Sequence, residues 1–236
     1  MKKIMMMCFA IILAFTGGCS MSDSQKNGNQ EEAVKPKDMD PKDLPQVPAF
    51  QDEKTREYMA STKEIEPGYY LLESKLKGFT MLFPEDGEYD DNLSSLGKDE
   101  EIISFYSYNK KTNVALNASV EYYRNQSFIN NPNEMLEQVK EENGYKGDFE
   151  KIEKSDKDVY FAFMKTVHDD IDKKNNETYS YIGYLKSKKQ DYVGIQFTFD
   201  FTCLKSSKSC SLNVDAAKKK AKKLVNSITF LTMKEK

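Results

Sequence analysis

Apolar and polar residues alternate cleanly at Val114, Leu116, Ala118, Val120 and Tyr122, which is the two-residue period of a half-buried β-strand. The same aromatic and β-branched texture recurs over 69–83, 101–109, 149–155, 158–170, 177–188 and 190–204. Polar turn signals separate these stretches. Pro84 and the Asp86-Gly87 pair close the first, Lys110-Lys111-Thr112-Asn113 joins the second to the alternating strand, and a polar run over 172–176 follows later.

The period changes to three and four residues in two places. Over 133–143, Met135, Leu136 and Val139 share one side, with Pro132 just ahead and Gly144 just behind as helix punctuation. Near the end of the chain, Val214, Ala217, Ala221, Leu224, Val225 and Ile228 mark an amphipathic helix, with a short strand expected at 228–231. Residues 51–68 read as a further short helix, with Asp52 and Glu53 at its positive end and Pro67-Gly68 terminating it. The pattern predicts a single α+β domain over 69–233, an antiparallel sheet with about three helices packed on it. There is no internal repeat.

The chain ahead of this domain is of a different kind. Lys2-Lys3, an apolar run from Ile4 to Phe15 and the small residues Thr16-Gly17-Gly18 have the charged, apolar and small-residue regions of a secretory signal over 1–18. The run is too short to span a bilayer, which takes about 20 apolar residues. Thr16-Gly17-Gly18-Cys19 resembles the lipobox of bacterial lipoproteins, although that family prefers Leu, Val or Ile where Thr16 stands. The resemblance implies cleavage before Cys19 and a diacylglycerol on its thiol, placing the protein on the extracytoplasmic face of the cell membrane. Each buried lipid methylene contributes about 0.8 kcal/mol, so two chains hold where one would not. From Cys19 to 50 the chain is rich in Ser, Asn, Gln, Pro and charge, and reads as a disordered tether. Its 31 residues after the cysteine would span about 30 Å on average.

Charge narrows the partners. The whole chain carries 35 basic and 38 acidic residues, a net charge of −3. Removing Lys2 and Lys3 leaves 33 against 38, or −5, which argues against a general nucleic-acid or polyanion binder. The 39% hydrophobic content, with 12% aromatic residues and no Trp, suits one moderately sized globular domain.

Candidate chemistry is sparse. His168 is the single histidine, and no Gly-x-Ser-x-Gly elbow accompanies it, so it reads as a strand-end residue rather than a general base. Zinc would need carboxylates to complete its ligands, and the acidic loops 84–92 and 168–177 lack the EF-hand register because Lys174 follows Asp170 and Asp172. No metal, cofactor or catalytic residue is assigned. Cys203 and Cys210 bracket a small polar loop, and outside the membrane such neighbours commonly pair; a structural disulfide is expected, with free thiols as the alternative. Tyr179, Tyr181 and Tyr184 offer either an aromatic surface for a glycan or peptide, or ordinary strand composition. Lys218, Lys219, Lys220, Lys222 and Lys223 lie opposite the apolar stripe of the last helix, as a contact for anionic lipid or wall polymer, or as its wet face.

Two wider resemblances follow from quoted residues. The stretch 78–87, Gly-Phe-Thr-Met-Leu-Phe-Pro-Glu-Asp-Gly, and the closing helix with its Asn226-Ser227-Ile228 transition resemble the PsbP/MOG1-type fold. The Lys2-Lys3 start, Gly17-Gly18-Cys19, the polar stalk and an α+β domain resemble the YvcA type of Bacillus-group lipoprotein, and imply a role in complex colony or biofilm architecture. The expected function is a non-enzymatic, lipid-anchored surface protein that binds or assists an envelope protein or wall component. The alternative is an extracytoplasmic sensor domain for a small ligand or glycan. An enzyme acting through carboxylates is a third, weaker reading.

Overall fold

A computed structural model of the chain describes residues 34–167, 177–203, 210 and 212–232. The signal and Cys19 therefore lie outside the described residues, as do His168 and the acidic segment that follows it.

The described chain opens with two single-turn 3-10 helices, Pro36–Asp38 and Pro41–Asp43, then α1 (Pro48–Gln51) and α2 (Glu53–Arg56). After β1 (Tyr69–Glu73), β2 (Phe79–Pro84), β3 (Gly87–Tyr89) and β4 (Ser95–Leu96) come the long strands β5 (Glu100–Asn109) and β6 (Val114–Arg124). A further 3-10 turn leads into α3 (Pro132–Asn143), then β7 (Glu150–Glu153), β8 (Lys157–Val167), β9 (Glu177–Ser187) and β10 (Val193–Cys203). The end of the chain is α4 (Val214–Ser227) and β11 (Thr229–Phe230).

Two antiparallel sheets result. The larger runs β3-β5-β6-β10-β9-β8-β7, with β4 also on β5; the smaller is β1-β2-β11. The α+β class read from the sequence is the one observed.

Register decides which residues share a face. Val120 opposes Phe197, which in turn opposes Gly183. Ile103, Phe105, Leu116, Tyr122, Ile195, Phe199, Phe201 and Tyr181 therefore fall on one side of the large sheet, buried in one core. The apolar stripe of α4 closes that core, together with the small sheet. On the opposite side α3 sets Met135 and Val139 over Tyr123, Ile182 and Tyr184. The result is three layers with the large sheet in the middle. Gly183 is needed at the centre: a Cβ there would collide with the Tyr160 carbonyl and the Phe197 ring.

Local signals act as expected at the helix ends. Asn131 Oδ1 accepts the Asn133 N–H at 3.2 Å, Pro132 takes the first helical position, and Gly144 ends α3 in the left-handed region at φ 63°. Asn213 Oδ1 caps α4 by accepting the N–H groups of Asp215 at 2.9 Å and Ala216 at 3.1 Å.

Two expectations fail at the start of the domain. The tether read over 19–50 does not extend to 50, because residues 34–50 fold onto the domain. Leu44 and Ala49 are buried there, and Phe50 packs edge-on to Tyr70 with ring centroids 4.7 Å apart. A few apolar side chains in a polar segment suffice when a ready-made core receives them. The helix read over 51–68 is also much shorter, a single turn at Glu53–Arg56. Tyr58 and Met59, adjacent in sequence, are both buried, and Met59 bridges to Leu72 as a strand residue would. Packing and a backbone bridge outweigh the weak helical pattern.

Candidate functional site

The tyrosines do not form a ligand surface. Tyr179 and Tyr181 face the α4 side of the sheet and Tyr184 the α3 side, as alternation along β9 requires, and they are 8%, 2% and 0% exposed. The Tyr184 hydroxyl donates to the Ile129 carbonyl at 2.7 Å, while the Tyr181 hydroxyl is enclosed without a partner. They are core residues.

Nor do the α4 lysines form one anion-facing side. Lys223 pairs with Glu66 at 3.0 Å and lies over the Tyr69 ring at 3.8 Å. Lys222 lies over Phe161, and only Lys219 is fully exposed, Lys218 being half-buried. Lys220 turns inward, where its Nζ donates to Ser107 Oγ at 3.3 Å and burial pulls its ammonium below the usual range. The helix twist of about 100° per residue spreads consecutive lysines around the axis, so each meets a different neighbour.

Cys203, at the end of β10, is bonded to Cys210, with Cα atoms 5.9 Å apart. The acidic turn 84–92 is taken up internally. Asp86 accepts the Ser107 hydroxyl at 2.7 Å, and Asp90 accepts the Asn92 N–H at 3.0 Å. Among the described residues no three His, Cys, Asp or Glu side chains are grouped to hold a metal.

A small pocket of about 170 Å³ lies between β6, Phe201 and the start of α4, and two larger clefts lie along the N-terminal segment. One cleft of about 520 Å³ is walled by Val47 and Pro48 on one side and by Asp86, Glu88, Tyr106 and Tyr108 on the other. A second, of about 480 Å³, is built from three pieces of chain. Lys35 and Lys37 come from the first 3-10 turn, Glu53, Arg56 and Glu57 from α2 and the residue after it, and Lys75 and Lys77 from the β1–β2 turn.

Local chemistry fixes that second cavity. Asp52 caps α2 through one oxygen, which accepts both the backbone N–H and the hydroxyl of Thr55 at 2.7 Å. That oxygen of Asp52, one helical turn before Arg56, is thereby engaged by Thr55. Glu57 pairs with Lys75 at 2.6 Å, and that contact holds its carboxyl below the usual range. Glu73 takes Lys77 and, at 3.7 Å, Lys35. The β1–β2 turn is held by Ser74, whose hydroxyl accepts the Gly78 N–H at 2.8 Å, and by Glu101 from β5. Arg56 is 9% exposed, and its Nε and Nη1 are enclosed with no partner. Five cations thus face two carboxylates around one cavity, in a chain whose net charge is negative.

Sequence reasoning missed this site. Lys35 and Lys37 lay in the supposed tether, Arg56 in a supposed short helix, and nothing in their spacing links them to Lys75 and Lys77. The one available signal was the run Lys75-Leu76-Lys77 between two apolar stretches.

Known proteins offer four points of comparison. Residues 45–229 match the model of a family described as "Putative lipoprotein YvcA". A Bacillus subtilis (strain 168) protein carrying that same description is 58% identical over 239 residues, covering 100% of this chain and 99% of that one. Among solved structures, the Ran-binding protein Mog1p of Saccharomyces cerevisiae aligns with a TM-score of 0.42 at 11% identity, over 68% of this chain and 94% of its own. A mutant of protein Mog1 aligns with a TM-score of 0.41 at 9% identity, over 68% and 95%.

Proposed function

From the premise that this chain belongs to the YvcA lipoprotein family, we propose that it is a lipid-anchored protein of the extracytoplasmic membrane face that works by binding an envelope component. The lipobox-like Thr16-Gly17-Gly18-Cys19 supports the anchor, with diacylglycerol carried on Cys19. No helix among the described residues is long and apolar enough to cross a membrane.

One observation carries the binding reading. The segment that follows the tether supplies a wall of two clefts, through Val47 and Pro48 in one and Lys35, Lys37 and Arg56 in the other. The segment that follows the tether in sequence thereby helps to build a recognition surface on the domain. The same reading makes this protein a contributor to complex colony or biofilm architecture.

Cross-linking on intact cells tests it. A reproducible envelope partner should be captured by the wild type and lost in a Cys19→Ala form, and a deletion strain should show altered colony architecture. Equal capture by both forms, or capture of nothing, overturns the reading.

A further inference from the structure

We propose that the cavity around Arg56 is a binding site for a phosphate-type oxyanion, a phosphate monoester or diester group. The inference deepens the binding reading above by naming the ligand class of one cleft.

Arg56 is the central observation. A guanidinium offers five N–H donors and stays charged at any physiological pH. Buried charges in proteins are paired, because leaving water without a counter-charge is costly. Arg56 breaks that rule, since Nε and Nη1 are enclosed without a partner. The carboxylates around the cavity have other partners: Asp52 takes Thr55, Glu57 takes Lys75, and Glu73 takes Lys77 and Lys35. That leaves Arg56 and Lys37 among the five cations of the lining, and Glu53, its remaining acid, is exposed. No carboxylate among the described residues is paired with Arg56, and an anion held in the cavity would set a counter-charge beside its guanidinium.

The kind of anion follows from the donors. The cations approach from three separate segments, so an acceptor with oxygens in several directions meets more of them than a planar carboxylate does. A tetrahedral phosphoryl group has that shape and carries one or two negative charges. A volume of about 480 Å³ holds such a group with its organic substituent. The walls are also held in place rather than assembled on demand. Glu101 and Ser74 fix the turn that carries Lys75 and Lys77, and the Asp52 cap fixes the turn that carries Arg56.

Location fits as well. The diacylglycerol proposed for Cys19 would hold the protein at the membrane surface. Phosphoryl groups there come from lipid headgroups or from phosphate-bearing molecules of the envelope.

The test uses the full-length lipidated protein in neutral detergent. Inorganic phosphate, added at constant ionic strength, should raise the thermal midpoint saturably, by about 5 °C at a hundredfold excess over Kd. Chloride should not. Arg56→Gln should weaken the phosphate dependence about 10- to 100-fold. Should that variant fail to fold, the exposed pair Lys37→Gln and Lys77→Gln should weaken it several-fold. Lys146→Gln, beyond α3 on the other side of the large sheet, should leave it unchanged. Glycerol phosphate added in solution, against phosphatidylglycerol added to the micelles, separates the two sources: the stronger Arg56-dependent shift identifies the ligand's origin. No saturable shift, or a shift that Arg56→Gln and the lysine pair leave intact, reduces the effect to an adventitious ion only and overturns the proposal. Partner capture on cells is independent of this result, so the site can fail while the anchored-binder reading stands.

Discussion

The buried carboxylate of Glu101 accepts the backbone N–H of Lys75 at 2.9 Å, tying β5 of the large sheet to the turn of the small one. Its second oxygen takes the N–H of Leu76 at 3.0 Å. Burial holds the Glu101 carboxyl above its ordinary range, while the two backbone donors pull the other way. The turn it holds presents Lys75 and Lys77 to the basic cavity, which makes Glu101 a positioning residue.

Replacing Glu101 by Ala strands two backbone donors in a half-buried turn. The expected loss of stability is about 3 kcal/mol, and about 1 kcal/mol for Glu101→Gln, which keeps one acceptor. Urea unfolding of the two variants measures it. Equal losses would show that the acceptor itself contributes little.

Stability should fall as pH rises through the upper carboxylate range. Glu101 and Glu121 both have their carboxyls raised from 4.5, chiefly by burial. Around Glu121, the Tyr123 and Ser119 hydroxyls favour the ionised form, while Glu142 and Glu100 oppose it. A group that holds its proton more tightly when folded stabilises fully below its unfolded value. That contribution disappears as pH rises through the folded value. Glu121→Gln should therefore gain on the wild type between pH 4.5 and 8 in urea titrations. A constant difference across that range would contradict the raised carboxyl.

Tyr181→Phe should leave stability unchanged or improve it by up to about 1 kcal/mol, since the hydroxyl it removes is buried and unpartnered. Tyr184→Phe should instead cost about 1 kcal/mol through loss of the 2.7 Å bond to Ile129. Thermal unfolding of both variants gives the contrast. A larger loss for Tyr181→Phe would mean that the hydroxyl has a partner.

Phe50→Ala should destabilise the domain by about 3–4 kcal/mol, as for other fully buried aromatics. A loss below about 0.5 kcal/mol in urea unfolding would return this segment to the tether.

Much of the architecture was legible residue by residue. Alternation in β6 announced its buried face, because a strand of period two must put Leu116, Val120 and Tyr122 on one side. Pro132, Gly144 and the Met135–Val139 spacing bounded α3 for equally local reasons. The 51–68 helix misled because its acidic start is a real cap, though for one turn only, and burial of Tyr58 and Met59 takes over beyond it. The tyrosines of β9 were visible, but which of them water could reach was not. That depended on α3 and α4 covering opposite faces of one sheet.

By itself the sequence determined the α+β class and the strand and helix periods, which rest on neighbours within a few residues. Tertiary structure alone decided that residues 34–50 belong to the domain and that Lys35, Lys37, Arg56, Lys75 and Lys77 surround one cavity. These residues are up to about forty positions apart. Only the packing of the N-terminal segment against the β1–β2 turn joins them, and no local pattern encodes that contact.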